Sequence, residues 1–229
     1  MPFRLIAIDL DGTLLNTRHQ MSPANAAAVA ACVAQGARVL IATGRTYASA
    51  GPYIRALQLA GPQIVLNGAV LVEPETGCMY TRQLLPHDLL AHVITVLESQ
   101  GLGYTVFGSD AIYALPEMPY APILAGYGEP PLIPLSRTDL LRLPNPIKVL
   151  TFLPAGPRDA QLAALMGTQV EAMRTAPQFF EFLSPGINKG SALMELMERY
   201  RVPREQVLVI GDGENDISMF GVAGMSVAM

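Results

Sequence analysis

Asp9 and Asp11 flank a single leucine and are followed by Gly12-Thr13, while Asp212 and Asp216 bracket Gly213-Glu214-Asn215 near the other end of the sequence. In an extended chain Asp9 and Asp11 would share a face, and Gly12 lets the chain turn and aim them separately. Carboxylates packed together repel, and one is driven to hold its proton unless a cation lies between them. Adding Asp212 gives three hard oxygen donors, a set suited to Mg2+, which is usually held by one or two carboxylates together with a substrate phosphate. Donors for a phosphate dianion are offered by the Thr43 hydroxyl, the Lys189 ammonium and the backbone N–H groups of the Gly12 turn. The chemistry implied is an in-line displacement in which Asp9 attacks phosphorus to form an aspartyl-phosphate. Asp11 would protonate the leaving oxygen and then activate water. Mg2+ and Lys189 would neutralise charge growing on the transferring group.

These groups can meet only if the fold gathers them. Phe3 to Ile8 is a short apolar run ending at Asp9, Arg38 to Ala42 ends at Thr43-Gly44-Arg45, and Gln206 to Ile210 ends at Gly211-Asp212. Each reads as a strand buried on both faces. Ser22-Pro23 offers an N-cap with Pro at the first helical position for a helix over 24–35, and Gly36 supplies its stop. A helical segment then leads to Gly61-Pro62 and the run Gln63 to Leu66. Lys189-Gly190 opens another helix, with Leu193, Leu196, Met197 and Tyr200 on one face and Pro203 at its end. Strands alternating with helices imply a parallel sheet whose ligands bind beyond the carboxyl ends of its strands, where all the polar clusters fall. The predicted fold is α/β, with a Rossmann-like parallel-sheet core flanked by helices.

At 229 residues the chain exceeds one average domain. Its texture changes near Arg82: an amphipathic stretch 86–100, the run Tyr104 to Phe107 beside Ala111 to Ala114, and a Pro-rich passage from Pro116 to Pro134. Asp139 to Leu143 then suggests a short helix, Ile147 to Phe152 a strand, 158–166 a helix, and Gln169 to Met173 with Phe179 to Leu183 a strand pair. Residues 82–183 are read as an inserted α/β cap domain, and 1–81 with 184–229 as the core.

Fifteen basic against nineteen acidic side chains, no Lys/Arg block and no Trp argue against a nucleic-acid partner. Apolar stretches break before the roughly 18 residues of a membrane span, and no basic region precedes an apolar run at the N-terminus, so a cytoplasmic protein without a membrane partner is expected. His19, His87 and His92 stand apart from other ligands and are assigned no chemistry. Cys32 and Cys78 are expected to be buried free thiols. Oligomeric state is not legible.

Asp9-Leu10-Asp11-Gly12-Thr13 resembles the first motif of haloacid dehalogenase-like phosphatases, Thr43-Gly44-Arg45 the second, Lys189 the third, and Gly211-Asp212-Gly213-Glu214-Asn215-Asp216 the fourth. Asn67-Gly68-Ala69, the Asn188-Lys189-Gly190 step and the large insert are similar to the Cof-type subgroup with an α/β (class IIB) cap. The resemblance implies a Mg2+-dependent phosphatase acting on a small phosphorylated metabolite. It makes Asp9 the nucleophile, Asp11 the general acid/base whose backbone carbonyl meets the metal, and Asp212 the third protein ligand. It also implies that Thr43, Gly44 and Lys189 hold phosphate, that Asn215 lies near it, and that Asp216 orients Lys189 or a metal-bound water; Arg45 follows the pattern without an assigned role. Similar proteins continue past Met225 to Met229, which leads to an expectation of an open sheet edge with lowered stability or self-association. A phosphosugar mutase, a receiver-like phosphate-binding module and a ligand-binding relative without activity are the alternatives.

Overall fold

β1 (Leu5–Ile8) is buried along its whole length and passes directly into the Asp9 turn. The computed structural model describes residues 2–109 and 111–229. The chain divides into two compact units, one formed by Met1–Arg82 with Asn188–Met229 and the other by Gln83–Ile187.

In the first unit β1 is followed by α1 (Pro23–Ala34), where the Ser22 side chain accepts from the Asn25 amide and Pro23 fills the first helical position. Then come β2 (Arg38–Ile41), α2 (Tyr47–Ala56), β3 (Gln63–Val65), β4 (Val70–Glu73) and β5 (Cys78–Thr81). The hairpins β3–β4 and β4–β5 form a three-stranded antiparallel sheet that the sequence reading does not contain. Its turn is made by Leu66, Asn67 and Gly68, all at positive φ, and β5 has three exposed residues, so it lacks the apolar pattern of a buried strand.

The second unit begins with α3 (His87–Ser99), β6 (Tyr104–Phe107), β7 (Ile112–Ala114), α4 (Ala121–Gly126) and β8 (Leu132–Pro134). It continues with α5 (Arg137–Leu140), β9 (Lys148–Phe152), α6 (Arg158–Met166), β10 (Glu171–Ala176) and β11 (Phe179–Leu183). Its six strands pair in the order β10-β11-β9-β6-β7-β8. Leu90, Val93, Ile94 and Leu97 of α3 and Leu162 and Met166 of α6 share one core with Tyr104, Val106, Val149, Phe180 and Phe182 of the sheet. The Pro-rich passage holds α4 and β8. Pro122 sits in the first helical turn and Pro134 closes an edge strand, two places where a missing N–H costs nothing.

The chain returns with α7 (Lys189–Tyr200), β12 (Val207–Gly211), α8 (Ile217–Phe220) and β13 (Met225–Ala228). A parallel sheet of order β13-β12-β1-β2 results, with Ile8 beside Ile41 on one side and Ile210 on the other. Leu5 and Ala7 of β1 pack with Leu40, Val207 and Val209 against Ala192, Leu193 and Leu196 of α7. The register sets Asp9, the end of β2 and the end of β12 side by side. No helix among the described residues is long and apolar enough to cross a membrane. Both cysteines are free, but Cys32 is half-buried and Cys78 exposed, contrary to the buried thiols expected, because β5 presents its first residues to solvent.

Candidate active site

Lys189 is fully buried, yet it carries a charge, so it needs partners. Its Nζ donates to Asp9 Oδ1 at 2.6 Å and to Asp216 Oδ1 at 2.7 Å. The lysine is placed by the first turn of α7, which a capping box fixes: Asn188 Oδ1 accepts from the Ser191 amide, and the Ser191 hydroxyl accepts from the Asn188 amide. Asp216 in turn organises the loop after β12, its Oδ2 accepting the amides of Asp212 and Gly213 at 3.0 Å each. Burial works against the Lys189 charge, but Asp9 and Asp216 outweigh it and hold the ammonium above its usual range.

Burial pushes Asp9 up to about 7; Lys189 opposes the rise, while Asp216 and Asp11 add to it. A carboxyl whose folded pKa exceeds its unfolded value of about 4 costs stability as it ionises. Without a metal, this group is therefore expected to erode stability as pH climbs from about 4 to about 7, and Asp9→Asn removes the loss. Melting curves in chelator check this: the variant's advantage over the native chain should be larger at about pH 8 than at about pH 5.

One carboxylate oxygen from each of Asp9, Asp212 and Asp216 lies within 4.8 Å of the others. Asp212 is exposed, and its Oδ1 accepts from the Thr13 hydroxyl at 2.8 Å. Three carboxylates face one ammonium here, so negative charge is in excess, and the donors are all oxygen. The residues fit a divalent cation of the Mg2+ kind. Gly12, at φ +77°, brings the first turn against this group so closely that a Cβ would fall on the Asp212 carboxylate. Gly12→Ala is expected to cost about 1–3 kcal/mol through its backbone conformation alone and to displace Asp212 as well. Chemical denaturation and a metal titration by calorimetry would register both effects.

The Asp11 carboxylate lies outside that group, in a second network. Arg45 Nε donates to Oδ2 at 2.7 Å and Nη2 to Oδ1 at 2.5 Å, and His19 Nδ1 stands 3.0 Å from Oδ1. A third network holds the end of β2. The Thr43 hydroxyl oxygen accepts the Arg45 amide, and the Thr43 carbonyl accepts the amide of Asn67. Asn67 Oδ1 accepts from Asn215 Nδ2 at 3.0 Å, and a Cβ on Gly44 would come within 2.9 Å of Asn67 Nδ2. Residues one or two positions apart link the three networks, through Asp9 and Asp11, Thr43 and Arg45, and Asn215 and Asp216. Asp9, Asp11, Thr43, Arg45, Asp212 and Asp216 follow the carboxyl ends of β1, β2 and β12, the edge at which such sheets take ligands.

The family model for haloacid dehalogenase-like hydrolases matches residues 6–229. The chain belongs to that family. Over 254 aligned residues this hydrolase is 29% identical to Phosphatase YwpJ of Bacillus subtilis, covering 99% of this chain and 89% of that protein. A solved haloacid dehalogenase-like hydrolase from B. subtilis superposes with a TM-score of 0.86 at 27% identity, covering 99% of this chain and 89% of that one. A subclass IIB sugar phosphatase shares the fold with a TM-score of 0.86 at 22% identity, over 99% of this chain and 87% of that one. This haloacid dehalogenase-like hydrolase is a Cof-type member with an α/β insert, and it acts on phosphate esters. Family membership sets aside the receiver-like alternative.

Two residues of the candidate site have no role in the sequence reading. His19 was assigned no chemistry and Arg45 no role, although both touch Asp11. Arg45 carried a usable signal, its place directly after the strand-end Thr43-Gly44. His19 carried none, because its position depends on a turn in which its own φ is +55°.

Proposed function

We propose that this hydrolase cleaves the phosphate ester of a small phosphorylated metabolite by passing the phosphoryl group to Asp9 and then to water. The observation that carries the reading is Lys189, buried and bridging Asp9 to Asp216, because it fixes the nucleophile's Oδ1 while no hydrogen bond among the described residues engages Oδ2. Asp9 Oδ2 attacks phosphorus, the bond to the leaving oxygen breaks, and Asp11 supplies the proton that oxygen takes. Water then attacks the same phosphorus, Asp11 accepts its proton, and Asp9 is freed with inorganic phosphate. Thr43, Gly44 and Lys189 hold the phosphate oxygens, Asn215 sits near them, and Asp216 orients Lys189. Asp9, Asp212 and the Asp11 carbonyl would hold Mg2+, which when bound would neutralise charge on the transferring group. The inserted α/β unit serves as the cap domain.

The test is release of inorganic phosphate from a generic aryl phosphate and from a panel of phosphorylated metabolites. Hydrolysis is expected to require Mg2+ and to stop in chelator. Turnover that persists undiminished without any divalent cation would overturn the cation's part, and phosphate moved to another position of a sugar, seen by phosphorus NMR, would replace hydrolysis with mutase chemistry.

A further inference from the structure

Arg45 is 5% exposed and spends its guanidinium on Asp11. Two of its nitrogens grip the two Asp11 oxygens, a fork-on-carboxylate arrangement that fixes direction as well as distance. The third, Nη1, donates to the Ser49 hydroxyl at 3.0 Å, one turn into α2. Tyr53, the next residue on that side of the helix, stands with its ring 5.6 Å from the Arg45 carbon and donates its hydroxyl to the His19 carbonyl at 2.9 Å. That bond pins the turn in which His19 brings Nδ1 to the same Asp11 oxygen that Arg45 Nη2 holds. The carboxylate of Asp11 is thus seated by β2's exit, by α2 and by the 16–20 turn together.

Such a seat is more than charge balance requires. A carboxyl that must hand a proton to a leaving oxygen and later collect one from water has to keep one orientation through both steps, and a misplacement of about 1 Å costs on the order of 100-fold in rate. We infer that Arg45 is a positioning residue for the hydrolase: with His19 as its partner it aims the Asp11 carboxyl at the leaving-group oxygen, and it does so without binding the substrate phosphate. The inference rests on the mechanism proposed above, in which Asp11 is the proton carrier.

A positioning role makes a demand that a structural or phosphate-binding role does not. In phosphoryl transfer to Asp9, the step that kcat/KM reports, loss of Arg45 should hurt only when the leaving oxygen needs a proton. Dinitrophenyl phosphate departs without one and an alkyl phosphate does not, so kcat/KM for the two substrates separates the cases. Arg45→Met is expected to lower kcat/KM for the alkyl ester by roughly 10- to 100-fold and for the dinitrophenyl ester by less than about threefold. Arg45→Lys, which restores charge without the fork, should recover only part of the loss. In an Asp11→Asn background the Arg45 substitution should cost nothing further. Equal losses on both esters, or losses that multiply in the double variant, would overturn the inference. If Arg45→Met does not fold, His19→Ala and Arg45→Lys give the same contrast between esters. Asp9→Asn is run alongside: turnover surviving in that variant would remove the mechanism itself and this inference with it, an outcome distinct from a failure of Arg45 alone.

Discussion

Asp9→Asn is expected to abolish phosphate release, with kcat lowered by roughly 10⁴-fold or more, while the variant stays folded. The amide is nearly isosteric but is not a nucleophile, and a two-step route has no substitute once its acceptor is lost. The packing around Asp9 favours a folded variant. Asp9 is buried at the end of β1, its neighbours Ile8 and Leu10 keep their contacts, and the substitution removes a charge that burial disfavours. Steady-state assays with circular dichroism and melting curves separate lost chemistry from lost structure. Activity within about tenfold of the native enzyme would mean that a different group takes the phosphoryl.

Lys189→Met should be the more damaging change overall. Methionine fills much of the same volume, but it strips the ammonium from between Asp9 and Asp216, and the latter is fully buried. Removing one partner of a buried pair costs about 3–5 kcal/mol because a charge is left behind without compensation. The damage should spread to the loop after β12, since Asp216 also gathers the Asp212 and Gly213 amides. A fall of that size in unfolding free energy at neutral pH is expected, together with a loss of activity of at least about 100-fold from the missing stabilisation of the transferring group. The stability loss should shrink in mild acid, where Asp9 holds its proton and one of the abandoned charges disappears. Denaturant titrations at both pH values supply the check.

Legibility in the sequence differs between elements. The strands β1, β2 and β12 are continuous apolar runs, although only β1 is buried along its whole length: Arg38 is exposed at the start of β2, and Leu208 and Ile210 leave one face of β12 half-buried. α1 and α7 announce their starts by Ser22-Pro23 and Asn188. The hairpin β4–β5 was missed because Cys78–Thr81 is mostly exposed and carries no alternation, and α4 and β8 were hidden by prolines that sit where a proline does no harm. In the site, Asp9, Lys189, Asp212 and Asp216 were nameable from their positions at strand ends and a helix start. Their pairing through Lys189 was not, since the bond to Asp9 spans 180 residues of sequence. Asn67 was noted only as part of a family pattern; its buried link to Asn215, 148 residues away, exists only in the folded chain. The seat around Asp11 was illegible for the same reason, because Ser49, Tyr53 and His19 have no sequence relation to it beyond what the turn and α2 create.

Whether phosphate visits Asp9 can be tested directly. Mixing enzyme with a rapidly cleaved aryl phosphate, quenching in acid within one turnover, reducing with borohydride and digesting for mass spectrometry would catch the acyl phosphate where it forms. The expected result is reduction of position 9 alone, to homoserine, and only when substrate was present. Complete recovery of unmodified Asp9 during a measured burst of product, or modification at Asp212 instead, would contradict it.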